Sequence, residues 1–140
     1  MPEQPQRMMG FDFGTKKIGV AIGQQITRQA NALTVVFSRH GEPDWQAIEK
    51  LITHWQPETL IVGRPLNMDG TTQLLTQLAE KFAGKLHKRY HLPVVMVDER
   101  LSTIAARANI FAEGGYRALQ QKKTDAVAAQ IILQDWLDQL

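Results

Sequence analysis

Met8-Met9-Gly10-Phe11-Asp12-Phe13-Gly14-Thr15-Lys16-Lys17-Ile18-Gly19-Val20-Ala21-Ile22-Gly23 is the stretch around which this chain is organised. Two apolar runs flank the Gly14-Thr15 break, a pattern that predicts a strand, a tight turn and a return strand. Within the first run a single carboxylate, Asp12, stands between Phe11 and Phe13. A core strand does not hold an unpaired charge without a partner or protonation, because transfer of an ion out of water is costly. Two readings follow. A metal ion, or a metal bound to phosphate, compensates Asp12; or Asp12 ends the strand and caps the turn.

The remaining composition narrows the classes. At 140 residues, with 44% hydrophobic and 21% charged residues, the chain is expected to form one globular domain with a full core. Residues 1–7 are polar and contain prolines, and read as a flexible tail before a single domain over 8–140. No apolar run reaches the roughly 18 residues of a membrane span, and the N-terminus has no signal-peptide core. Cysteine is absent, which excludes disulfides, zinc–thiolate sites and a cysteine nucleophile and fits a cytoplasmic location. The net charge is only +2, but it is unevenly placed. From Glu42 to Glu80 there are six acids and two bases; from Lys81 to Lys123 there are nine bases and three acids. The basic half is a plausible footprint for a polyanion, or a solvated helix face.

Taken in order, Phe11–Gly14, Ile18–Gly23 and Ala30–Phe37 predict three strands with short links, an antiparallel meander. Ser38–Glu42 reads as a loop. Asp44–Trp55 predicts a helix opened by Pro43, with Trp45, Ile48, Leu51, Ile52 and Trp55 at helical spacing; its tryptophans read as core rather than as stacking platforms. Thr59–Gly63 is a short apolar strand, followed by the loop Arg64–Gly70. Thr71 or Thr72 is the expected cap of a helix reaching about Arg89, with Leu74, Leu75, Leu78, Phe82 and Leu86 inward. Pro93–Val97 predicts a further strand ending in Asp98-Glu99-Arg100. Helices are expected at Thr103–Glu113, capped by Ser102, and at Thr124–Leu140, with the basic loop Tyr116–Lys123 between them. The order β-β-β-α-β-α-β-α-α predicts an α/β fold. Its mixed five-stranded sheet joins the antiparallel meander to parallel strands, with helices on both faces.

Sites in such sheets gather at the carboxyl ends of central strands. Three acids can reach that edge: Asp12, Asp98 or Glu99, and Asp125, which shares a helix face with Ala129, Ile132 and Trp136. Two like charges 4 Å apart cost about 4 kcal/mol at an effective dielectric near 20. Together the acids need a divalent cation, and an all-oxygen donor set suits Mg²⁺ or Mn²⁺. Such a site can activate water for phosphodiester hydrolysis. Taken singly, Asp125 could serve the helix dipole, and Asp98 or Glu99 could pair with Arg100. Alternation puts Asp98 and Glu99 on opposite sides of the pleat. Glu99, with the longer reach, is the favoured ligand and Asp98 the fallback.

Four segments resemble the YqgF (RuvX-type) family, a group with the ribonuclease H-like fold. They are Phe11–Ala21, Val62–Gly70, Asp98–Thr103 and Lys123–Ala129, in the family's order and over nearly the whole chain after Met8. The resemblance implies candidate nucleases of pre-16S ribosomal RNA, acting at its 5′ end. They were formerly grouped with Holliday-junction resolvases. It also implies that Asp12, Glu99 and Asp125 match the acidic metal-binding positions. Arg64 departs from the pattern: an apolar residue is expected before the proline, and the arginine adds charge beside the site. Gly14, Thr15 and Lys16 are candidates to hold a phosphate, and Asn67 to bond a sugar or phosphate. Arg100, Arg107, Arg117, Lys122 and Lys123 are candidates to track a nucleic-acid backbone, with Tyr116 stacking on a base. The partner expected is pre-ribosomal RNA, with branched DNA as the alternative. Two other classes compete: an RNA-binding module without catalysis, and an actin-like ATPase, suggested by Asp12-Phe13-Gly14-Thr15. The latter fold clasps nucleotide between two such domains, and 140 residues supply one.

Overall fold

The computed structural model describes residues 6–67, 69–98 and 124–140. Among these, the strands are β1 (Arg7–Phe13), β2 (Lys17–Gln24), β3 (Gln29–Arg39), β4 (Glu42–Pro43), β5 (Thr59–Arg64) and β6 (Val94–Asp98). The helices are α1 (Trp45–Trp55), α2 (Leu74–Tyr90) and α3 (Thr124–Asp138). The expected helix at 103–113 lies outside the described residues. The sheet order is β4-β3-β2-β1-β5-β6, so β1 lies between antiparallel β2 and parallel β5.

β1 begins at Arg7, inside the segment expected as a tail. Met8 and Met9 are both fully buried, one on each face, as a central strand requires. Side chains alternate between two cores. Met9, Phe11, Ile18, Val20, Val36 and Val62 pack under α1 and α2 around Ile48, Phe82 and Leu86. Met8, Ala21, Ala30, Ile61 and Val97 pack under α3 against Ala129, Ile132, Leu133 and Leu137. The tryptophans of α1 belong to the first layer. The Trp45 ring stacks on Phe82 at 5.7 Å between centroids, and the Arg89 guanidinium lies over the Trp45 ring, 4.1 Å from its centroid.

α3 sits close on the sheet because glycines face it. A Cβ on Gly10 would lie 2.9 Å from Leu133 Cβ and 3.2 Å from the Ala129 carbonyl oxygen, so no larger residue fits beneath the helix as it stands. The helix is also tied sideways to β3. Gln134 Oε1 accepts from the Ala30 amide at 3.0 Å, and Gln130 Nε2 donates to the Ala30 carbonyl at 2.9 Å.

Three expectations need correction. Among the described residues the sheet has six strands rather than five. His40 and Gly41 both adopt positive φ, the geometry of a two-residue hairpin turn, and fold Glu42–Pro43 back on Ser38–Arg39. α2 is capped by Gln73, not by Thr71 or Thr72. Its inward face is Thr76, Ala79, Phe82, Ala83 and Leu86, which leaves Leu74 71% exposed and Leu75 and Leu78 half-buried. A buried threonine heads that face because its hydroxyl is satisfied: it donates to the Pro65 carbonyl and accepts from the Gln73 amide at 3.0 Å.

Candidate active site

Asp12 is the sixth residue of β1, between Phe11 and Phe13, which both pack in the α1/α2 core. Alternation therefore turns its half-buried side chain to the α3 face. Its partner on β2 is Gly19. On β5 the register Phe11↔Val62 brings Gly63 alongside it, and Gly63 pairs in turn with Val97. Asp12 thus has a glycine on either side and no neighbouring Cβ in its row. The sequence reading did not assign these two glycines.

The backbone also brings position 125 level with position 12. α3 runs with Leu137 over Gly23, Leu133 over Gly23 and Gly10, and the Ala129 carbonyl over Gly10. Asp125 stands one turn further along the same direction, about 6 Å of helical rise. Asp12 stands two residues beyond Gly10, about 6.6 Å of strand. The Asp125 side chain lies outside the described part of the structure.

Asp98 ends β6 on the other side. Met96 packs in the α1/α2 layer and Val97 in the α3 layer, so alternation returns Asp98 to the α1/α2 face, away from Asp12. There it is in register with Arg64. Arg64 also belongs to that face, where its Nε lies 3.0 Å from Glu80 Oε1 on α2. The arginine expected beside the site instead ties β5 to α2 on the opposite side. Glu99, Arg100, Arg107, Tyr116, Arg117, Lys122 and Lys123 lie outside the described residues. Among the described residues no three acidic or imidazole side chains gather in one place.

The β1–β2 turn carries Gly14, Thr15 and Lys16. A Cβ on Gly14 would stand 2.6 Å from the Lys17 carbonyl oxygen, so the turn requires glycine. Thr15 and Lys16 are exposed just beyond Asp12, with Lys16 held by a 2.9 Å bond from the Ser38 amide to its carbonyl. Asn67, the candidate for a sugar or phosphate contact, is exposed. Its Nδ2 donates to Thr71 Oγ1 at 3.0 Å and to the Thr72 carbonyl at 3.4 Å, bracing its own loop.

Comparison with known proteins agrees with this architecture. A family model described as "RuvX: Holliday junction resolvase" matches residues 6–139. A Sodalis glossinidius protein named "Putative pre-16S rRNA nuclease" is 57% identical over 132 residues, 94% of each chain. A Yersinia pestis protein of the same name is 55% identical over the same span. Among solved structures, Thermus thermophilus RuvC in complex with a Holliday junction superposes with a TM-score of 0.57 at 16% identity, covering 94% of this chain and 93% of that one. The yeast mitochondrial Holliday junction resolvase gives 0.57 at 14% identity, covering 97% and 80%. Those likenesses establish the fold, the ribonuclease H-like fold of the RuvC resolvases. The match over nearly the full length, together with relatives above half identity, places the sequence: the chain belongs to the RuvX family of nucleases.

Proposed function

We propose that the chain is a divalent-metal-dependent nuclease that trims the 5′ end of pre-16S ribosomal RNA, with Asp12, Glu99 and Asp125 as its acidic centre. The observation that carries this reading is the pairing of levels across the sheet. The path of α3 over Gly23 and Gly10 carries position 125 towards the row of Asp12, in which the neighbours of Asp12 are Gly19 and Gly63. The opposite orientation of Asp98 favours Glu99 as the third acid.

The donor set suits Mg²⁺ or Mn²⁺, since carboxylate oxygens are hard ligands and the chain has no cysteine thiolate. A bound ion of this kind lowers the pKa of water and neutralises charge on a phosphate under attack. The protein's own part is positional. Asp12, fixed on a central strand, sets where a phosphodiester must lie. The Gly14 amide, Thr15 and Lys16 sit at the adjoining turn and would bind the neighbouring phosphate. Arg100, Arg107, Arg117, Lys122 and Lys123 supply charge along the strand's path, and Tyr116 a stacking surface.

RNA is favoured over branched DNA because the relatives at 55–57% identity carry the ribosomal RNA name. The likeness to junction resolvases rests on structures at 14–16% identity. The test is cleavage of a precursor ribosomal RNA fragment set against a four-way DNA junction, each with Mg²⁺, with Mn²⁺ and with EDTA. Metal-dependent cut at the 5′ side of the RNA is expected, lost in Glu99→Gln and kept in Asp98→Asn. Cleavage of the junction alone would reassign the substrate, and cleavage in EDTA would remove the metal from the proposal.

A further inference from the structure

We infer that Phe37 is a stacking platform for an unpaired base of the nucleic-acid strand held at Asp12, an inference that rests on the nuclease reading for its ligand class. Val36 is buried in the α1/α2 layer, so Val35 and Phe37 face the α3 side, the side of Asp12. The register runs from Asp12 to Gly19 on β2 and from Gly19 to Val35 on β3, and Phe37 is two residues further on. Two strand spacings of about 4.8 Å and two residues of about 3.3 Å put Phe37 roughly 12 Å from Asp12. That is three to four nucleotides at the duplex spacing of about 3.4 Å per strand, and fewer in an extended strand.

Phe37 is 61% exposed, the one aromatic ring among the exposed large apolar side chains of the described residues. It lines an open hollow of about 550 Å³ together with Lys17, Val35 and Ala126, the last of these next to position 125. Its occupant is indicated by charge. Lys17 is directly in register with Phe37, Arg39 lies two residues on, and Lys16 is bonded to Ser38 beside it. Glu42 and Asp44 lie on the β4 side of the ring, so the basic side chains of Lys17 and Arg39 mark the path of a polyanion along the β2 side, where an exposed aromatic ring beside cations is the chemistry that holds bases and phosphates of a single strand. A duplex keeps its base faces stacked and offers the ring nothing. The inferred ligand is thus the unpaired flank of the substrate, and Phe37 would help distinguish a single-stranded 5′ extension from a helix.

The experiment uses the full chain and fluorescein-labelled oligonucleotides without added metal: single-stranded RNA, the same sequence as DNA, and the RNA duplex. Phe37→Ala is expected to weaken single-strand binding by about 5- to 100-fold, leave the duplex unchanged and leave the melting temperature unchanged. Phe37→Trp should bind like the parent, with its indole emission quenched by the strand, whereas Phe37→Leu should behave like Phe37→Ala. Rescue by leucine, equal losses on strand and duplex, a Phe37-dependent change of oligomeric state, or a fall in stability in Phe37→Ala would each overturn the inference. The nuclease reading fails separately. A parent protein that binds strands through Phe37 but cuts nothing leaves the platform standing. A parent that cuts RNA while Phe37→Ala binds and cuts equally well removes the platform alone.

Discussion

Replacing Gly10 by alanine probes the seat on which the whole site depends. The added Cβ would meet Leu133 Cβ at 2.9 Å and the Ala129 carbonyl oxygen at 3.2 Å. Ordinary contact needs about 3.4–4 Å, and neither partner is the loose end of a side chain, so α3 must lift by roughly half an ångström or more. Overpacking of this kind costs about 1–3 kcal/mol. For a domain of this size that corresponds to a fall of about 3–10 °C in melting temperature. The lift also moves position 125 away from Asp12, and a displacement approaching 1 Å at a reacting centre can cost about 100-fold in rate. Gly84→Ala is the matched control. It sits in the exposed middle of α2, where an added Cβ meets nothing within 4 Å, so the change should stabilise by about 0.5–1 kcal/mol. Thermal and urea unfolding of both variants, followed by cleavage rates, makes the comparison. A Gly10→Ala protein as stable as the parent would refute the close seating of α3. One that is destabilised but fully active would refute the coupling of that seat to the site.

Other outcomes follow from single contacts. Thr76→Val keeps shape but strands the Pro65 carbonyl and the Gln73 amide; it should cost about 1–3 kcal/mol in urea unfolding. Arg64→Leu removes a half-exposed pair with Glu80, should change stability by less than about 1 kcal/mol, and should leave cleavage unaltered because the side chain faces away from Asp12. The Trp45 indole N–H donates to Glu42 at 2.8 Å, and this bond, followed by the nearby Lys85, holds the Glu42 carboxyl below its ordinary value of 4.5. A depressed carboxylate stabilises the fold above its unfolded pKa and loses that contribution as pH falls through the folded one. The melting-temperature gap between parent and Glu42→Gln should therefore be open at neutral pH and close below about pH 4.

The strands and helices were legible wherever one period dominated. Ile18–Gly23 and Thr59–Gly63 fall within one residue of β2 and β5 because their apolar runs end at turn residues. Asp12 was legible as an oddity, since a carboxylate between two buried-strand phenylalanines violates the pattern of its own element. What surrounds it was not, because Gly19 and Gly63 become meaningful only once register sets them beside Asp12. Leu74 was misjudged because helical spacing alone does not say where the first turn begins; the Gln73 cap and the satisfied Thr76 hydroxyl set the face. Asn67 stays exposed, and the bond from its amide to Thr71 that braces the loop depends on a turn that the sequence does not display. The short β4 depends on positive φ at His40, a residue that gives no sign of it in sequence. Arg64 read as a charge beside the site because strand parity was not yet tied to a face, and the two cores on either side of β5 settle which way it points.

The most direct test of the account is the initial rate of RNA cleavage by Asp12→Asn in saturating Mg²⁺, with unfolding measured on the same preparation. The carboxylate-to-amide change keeps the shape of the side chain and removes its charge. The expected result is a rate lower by at least about 100-fold in a protein that still unfolds cooperatively. Full activity in Asp12→Asn would contradict it.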